Sequence, residues 1–214
     1  MARIAGVIGL LLLIACAVAF SADKASIIYL EGDVTLDGVP ASVGDPVVAG
    51  ATLRTAADAL CEVVFNTRNI VHMTGGTILR FDPNQLSCGA TLEKGAIAMV
   101  LRNLSAVKGS EVRFSIKTST TVAGVRGTCF LVKVEDDNNT FICCCNGAIH
   151  LEGEGGAFTQ NLTSSHHQEV RVTRAQSGLS VGAAPMLYHT DADVEGIAAR
   201  IGEKIDWTKV DRQP

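Results

Sequence analysis

The chain has 214 residues, of which 47% are hydrophobic but only 5% aromatic, with 21 glycines and a net charge of −4. That acidic balance, with no basic stripe to neutralise phosphates, excludes nucleic acid as a partner. One sizeable domain fits this length better than two, and the glycine count points to many short turns rather than long helices.

Residues 1–22 read as a removable secretory signal. Arg3 is the only charge before the apolar run 4–14, which is too short to cross a bilayer comfortably, and small residues follow it. Cleavage after Ala19 or after Ser21 fits. Leu13-Ile14-Ala15-Cys16 also resembles a lipobox in which Cys16 would carry a lipid anchor, although residues 17–20 stay apolar. Either route exports a chain of about 190 residues.

From residue 25 a single grammar repeats. Strand-like segments of β-branched and aliphatic residues alternate with Gly, Asp or Asn, as at 25–34, 59–65, 69–73, 77–81, 92–101 and 111–117. No helix-period segment interrupts them before the C-terminus. This pattern predicts an all-β fold, a sandwich or β-roll of short strands over residues 23–175, with a solenoid of short repeats as the rival. Residues 176–214 are expected to form a loop and one short helix. Thr190 and Asp193 make a capping box, and Val194, Ile197, Ala198, Ile201 and Ile205 share a face, which suits a cover over an open edge or end of the sheet.

The clearest local structure lies at 128–145. Thr-Cys-Phe-Leu-Val-Lys-Val is followed by Asp136-Asp137-Asn138-Asn139 and a returning strand 140–145, a β-hairpin. Asn146-Gly147 is expected to turn the chain again before a strand at 148–151. Alternation puts Cys143 and Cys145 on one face and Cys144 on the other. A five-residue loop would set Cys129 opposite Cys145, and a four-residue loop would set it opposite Asn146; the choice stays open.

Gly124-Val125-Arg126-Gly127-Thr128-Cys129-Phe130, with Gly32-Asp33-Val34, residues 43–55 and Leu92-Glu93-Lys94-Gly95-Ala96-Ile97 in order, resembles the FecR domain family of bacterial envelope proteins. The likeness spans about residues 32–151. It implies an all-β extracytoplasmic module that serves as a binding or scaffold unit of the cell envelope, with an envelope protein or a small ligand as its partner. In the best-known members the module follows a cytoplasmic anti-sigma segment and relays a transport signal. A removable leader and a short tail imply that this chain does not contact a sigma factor.

Several residues compete for chemical roles. Arg126, with Gly127 and Thr128, either recognises a carboxylate-bearing ligand or ties two strands together. The chain has seven cysteines. Cys61 and Cys88 lie in neighbouring units and could form a disulfide, or each could be a small apolar core residue. In the hairpin, Cys129 could bridge to Cys143 or Cys145, though opposed strand positions strain such a bond, and Cys144-Cys145 could close a vicinal disulfide only with a distorted turn.

The remaining reading is a metal or redox site built from Cys143, Cys145, His166 and His167 with Cys129. Thiolates and imidazoles are ligands for zinc or another soft transition metal such as copper(I). The spacing matches no finger or ribbon, and no haem-attachment motif occurs. His72, His150 and His189 read as isolated surface or satisfied residues. No cofactor is required by any motif, and no nucleophile elbow, phosphate loop, zinc-protease or dinucleotide signature marks an enzyme. A Cys143–His166 nucleophilic pair is disfavoured because neighbouring thiols in an oxidising compartment would oxidise first. Asn103, Asn138 and Asn161 head glycosylation sequons.

Overall fold

A computed structural model describes residues 25–82, 89–102, 114–125 and 127–210. The segment 1–22, Cys16, Cys88, Arg126 and Asn103 lie outside the described residues. Fifteen strands and one helix follow in order: β1 (Ser26–Glu31), β2 (Val34–Leu36), β3 (Val39–Pro40), β4 (Ala51–Thr55), β5 (Leu60–Phe65), β6 (Asn69–Met73), β7 (Ile78–Phe81), β8 (Ala90–Leu101), β9 (Phe114–Lys117), β10 (Thr121–Val125), β11 (Cys129–Asp136), β12 (Asn139–Gly153), β13 (Thr159–Ser164), β14 (Gln168–Ala175), β15 (Gly178–Ala183) and α1 (Asp191–Arg200). The all-β class is as the turn spacing implied, and among the described residues the one α-helix lies where the capping box placed it, with a single 3-10 turn at Glu154–Gly156 besides.

Two sheets share one core. The first runs β1-β5-β6-β8-β11-β12-β14-β15. The second runs β3-β2-β4-β7-β8-β9-β10-β12-β13, antiparallel throughout except for the parallel β8–β9 pair. Between them Phe65, Phe81 and Phe114 meet at centroid separations of 5.1 to 6.1 Å. Leu53, Val63, Met73, Leu92, Met99 and Ile116 fill the same cluster. Antiparallel pairing of neighbours, rather than stacked parallel coils, makes this a sandwich and not a solenoid.

Two strands belong to both sheets, and each bends at a glycine. Residues 90–94 of β8 pair in the second sheet and 95–101 in the first. Likewise 139–144 of β12 pair in the first sheet and 147–153 in the second. Gly95 has φ 84° and a Cβ there would meet Thr77 Oγ1 at 2.3 Å; Gly147 has φ 127° and would meet Thr128 Oγ1 at 2.8 Å. Only glycine accommodates both the backbone conformation and the close approach. Asn146-Gly147 is therefore not the expected turn. It is the corner where one strand passes between sheets, because the Gly147 amide chain continues pairing on both sides.

The hairpin exists with a tighter closure than either expected loop. Asp136 pairs with Asn139, so two residues, Asp137 and Asn138, make the turn. Asp136 fixes it by accepting from Asn138 N at 2.7 Å and from Asn139 Nδ2 at 2.9 Å. Two register shifts follow, one near Glu135 and one at Cys145, which has no partner between the pairs Phe130–Cys144 and Cys129–Asn146. That bulge keeps Cys129 on the face of Cys143 and Cys145 although it stands opposite Asn146.

The outer face of the first sheet carries a second apolar cluster. Ile70, Ala98, Val100, Leu131 and Phe141 lie beneath Val194, Ile197 and Ala198 of α1, with Ile201 and Ile205 at the margin. Thr190 caps the helix, its hydroxyl accepting from Asp193 N at 3.3 Å while Asp193 accepts from Thr190 N at 2.7 Å. The helix thus covers a sheet face rather than an edge or an end. Its far end is tied by Arg200 to the buried Glu62 at 3.3 Å, and by Glu203 to Arg68 and Arg102.

Candidate metal centre

The five described cysteines, Cys61, Cys129, Cys143, Cys144 and Cys145, are free buried thiols. The disulfides considered for the hairpin are thus absent among them: Cys129 is not bridged to Cys143 or Cys145, and Cys144 and Cys145 are not joined. For the Cys61–Cys88 pairing, Cys61 is free and Cys88 is outside the described residues. Cys61 and Cys144 point into the inter-sheet core, and burial pushes each thiol up to about 12. They are small apolar core residues.

Cys143 and Cys145 are different. They project from the outer face of β12 toward His167, in the turn between β13 and β14, and toward His189, in the segment that leads into α1. Cys143 Sγ lies 3.3 Å from His167 Nδ1, Cys145 Sγ lies 3.3 Å from His189 Nε2, the two sulfurs are 3.5 Å apart and the two nitrogens 3.2 Å apart. A tetrahedral zinc ion with ordinary bond lengths requires ligand–ligand edges of about 3.3 to 3.8 Å. Four of the six edges therefore already stand close to that figure, and all four atoms lie within 4.8 Å of one another.

The outer nitrogens show which way the lone pairs face. His189 Nδ1 is 2.9 Å from Leu187 O, and His167 Nε2 is 2.7 Å from Asp191 Oδ1. Both acceptors are oxygens, so each contact takes the ring's outer N–H, and when the ring is neutral its inner nitrogen, His189 Nε2 or His167 Nδ1, faces the sulfurs as a lone pair. Two nitrogens facing each other beside two sulfurs need protons or a metal cation among them, and the arrangement suits either. The Asp191–His167 contact is the carboxylate–histidine support that metal-ligating imidazoles commonly have.

Both cysteines are fully buried, and the His167 side chain is 6% exposed. Trp207 stacks on His167 at 5.1 Å between centroids. Two residues at the ligand-bearing bends adopt left-handed backbone: His167 at φ 51° and Tyr188, beside His189, at φ 70°. Such conformations cost a non-glycine residue free energy and cluster at functional sites. The Cys143 thiol is held low, to about 5, by the hydrogen bond from Cys145 acting against burial, with His189 and His167 adding to it. Cys145 is pushed well up by burial and by its neighbouring sulfurs. His189 is pulled down by burial, but the hydrogen bond and charge of Cys143 outweigh that and leave it raised. Glu169 stands by, 3.8 Å from Cys143 Sγ.

Of the residues that the sequence singled out, Cys143, Cys145 and His167 converge. His166 does not join them; its Nε2 contacts Asp191 Oδ2 at 2.9 Å, on the exposed side of His167. Cys129 packs on the same face but stands outside the four-atom set. His189, read from the sequence as isolated, is the fourth member. Its only sequence signal is its place immediately before the capping box, which does not announce contact with Cys145, 44 residues earlier. His72 and His150 are engaged elsewhere, by Glu62 at 3.0 Å and Asn161 at 2.7 Å. Thr128 is a structural tie: its buried hydroxyl donates to Ala148 O at 2.9 Å and accepts from Ala148 N at 3.2 Å.

Comparison with known proteins bears on the module that carries this cluster. The model of the FecR protein family matches residues 51–150. That segment belongs to the FecR family. It contains the hairpin, the sheet-crossing strand and both cysteine ligands, whereas His167 and His189 lie beyond it. No curated protein matches the chain. Two crystal structures titled "putative anti-sigma factor" from Parabacteroides distasonis are similar at 16% and 17% identity, each with a TM-score of 0.48 over 62% of this chain. The chain matches 59% of the length of those proteins. Among the described residues no helix is long and apolar enough to cross a membrane.

Proposed function

We propose that the protein is a non-enzymatic FecR-type module of the bacterial cell envelope that holds one zinc ion through Cys143, Cys145, His167 and His189. The carrying observation is the pair of imidazoles whose outer N–H groups are already engaged by oxygens, leaving the two inner nitrogens and two sulfurs within 4.8 Å of one another. A tetrahedral S2N2 set of this kind suits zinc before the harder divalent ions, with copper(I) the soft competitor. All four positions come from the protein, and the sulfurs are buried. A closed set leaves no position for water or substrate, which supports a structural ion over a catalytic one.

Export fits the same reading. The N-terminal apolar run would carry the chain out of the reducing cytoplasm into a compartment where unprotected neighbouring thiols oxidise, and a bound ion would shield them. Envelope localisation rests on the FecR likeness and that leader, and N-terminal sequencing of protein recovered from envelope fractions tests it.

The metal is tested on the full chain purified without chelator. Elemental analysis is expected to give one zinc per chain, and cobalt substitution should produce thiolate-to-cobalt charge-transfer bands. Cys143 and Cys145 should resist a thiol reagent until a chelator is added. Metal-free protein that takes up neither zinc nor copper(I), with both thiols reacting at the rate of ordinary buried cysteines, overturns the reading.

A further inference from the structure

We infer that the metal is a latch: its loading and the docking of the C-terminal segment 187–210 on the first sheet are one linked equilibrium. This rests on the metal reading above and adds to it what the ion controls.

The ligands come from separate parts of the chain. Cys143 and Cys145 belong to β12, His167 to the β13–β14 turn, and His189 to the segment that enters α1. An ion held by all four joins that segment to the sheet. Asp191, the first residue of α1, strengthens the link because its two carboxylate oxygens accept from His167 and His166. Trp207 closes the other side, stacked on His167 and donating from Nε1 to Glu195 Oε1 at 2.7 Å. Next to the ligand Cys145, the buried Asn146 amide donates to Asp206 O at 3.0 Å and to Lys209 O at 3.1 Å. Helix and tail are thus fastened around the metal position rather than at a distance from it.

The helix has little else of its own. It is ten residues long, contains Gly196, and buries only Val194, Ile197 and Ala198. Isolated helices of this length are marginal in water, so docking depends on what pins the ends. At the far end the pins are ion pairs, one of them through the half-exposed Arg200. At the near end the pin is the His189 and Asp191 contact with the metal position. Access points the same way. Both sulfurs are fully buried beneath His167, His189 and the tail, so an ion reaches them only when that cover lifts. Loading then favours the closed arrangement, and by reciprocity a closed helix raises metal affinity by the same factor. When the ion leaves, the cover over Ile70, Val100, Leu131 and Phe141 is still the resting arrangement but opens more often.

Hydrogen exchange of the full chain in reducing buffer, followed by mass spectrometry with and without added zinc chloride, tests this. Zinc is expected to slow exchange in 191–200 at least tenfold while β5 and β6 stay unchanged, and to shift the emission of Trp207, the single tryptophan. His189→Ala should still bind zinc, more weakly, and shield Cys143, yet no longer slow the helix. Ile197→Ala, which touches no ligand, should weaken zinc binding by the factor by which it speeds helix exchange. Stoichiometric zinc with unchanged exchange in 191–200 overturns the latch and leaves the metal centre standing. Full slowing in His189→Ala also overturns it. Failure of the unaltered chain to bind zinc removes the metal reading, and the latch with it.

Discussion

Cys143 and Cys144 are covalent neighbours, both fully buried, and they behave as opposites. Cys144 faces the inter-sheet core, where burial outweighs a backbone hydrogen bond with Ser164 and pushes its thiol up to about 12. Cys143 faces the outer side of the same strand, where Cys145, His189 and His167 hold its thiol down to about 5. Burial alone therefore does not decide reactivity. What decides it is whether the buried face is closed by apolar side chains from a second sheet or by imidazoles from the C-terminal part of the chain.

The contrast can be broken by substitution on each side. The largest effect is expected on the inner face. Phe81→Ala removes a ring packed against Phe65 and Phe114 and should cost about 3–5 kcal/mol in urea unfolding of the metal-free protein. Zinc stoichiometry of the fraction that remains folded should be unchanged. On the outer face, Cys143→Ser should lower zinc affinity about a hundredfold or more, read by competition with a chromophoric chelator, with little change in unfolding of the metal-free chain. If the two variants exchanged these effects, the division between faces would be wrong.

Smaller effects sharpen the division. Asp191→Asn keeps an acceptor for His167 but removes the charge, and zinc affinity should fall about tenfold, the low end for loss of a carboxylate behind a ligating histidine. Cys144→Ala should cost about 1 kcal/mol of stability and leave zinc affinity unaltered. A titration checks the outer thiol directly. Because Cys143 has a depressed folded-state value, its thiolate stabilises the metal-free fold above the ordinary thiol range, and that contribution is lost as pH falls through about 5. Thiolate absorbance of reduced, metal-free protein should therefore show one group ionising near that pH, absent in Cys143→Ser. Titration of every thiol in the ordinary range would remove the electrostatic argument.

Much of this fold could be read from local chemistry. Short strands between Gly, Asp and Asn turns, the hairpin at Asp136–Asn139, the alternation that separates Cys144 from Cys143 and Cys145, and the Thr190–Asp193 capping box all depend on residues within a few positions of one another. Such interactions leave a mark in the order of residue types. Asn146-Gly147 misled for the same reason: a glycine needing positive φ looks alike in a tight turn and in a strand bending between sheets, and only the pairing on either side tells them apart.

The four-ligand cluster left no comparable mark. His167 was suggested by its doubled histidine and its distance from the hairpin, but His189 sits 44 residues from the sulfur it approaches, in a loop with no metal-binding spacing. Its arrival depends on where α1 docks, and α1 docks on an apolar face assembled from β6, β8, β11 and β12. Local sequence encodes strands, turns and caps because their partners are near neighbours along the chain. Bringing two imidazoles and two sulfurs to one point is a property of sheet order and helix placement, which only the folded chain establishes.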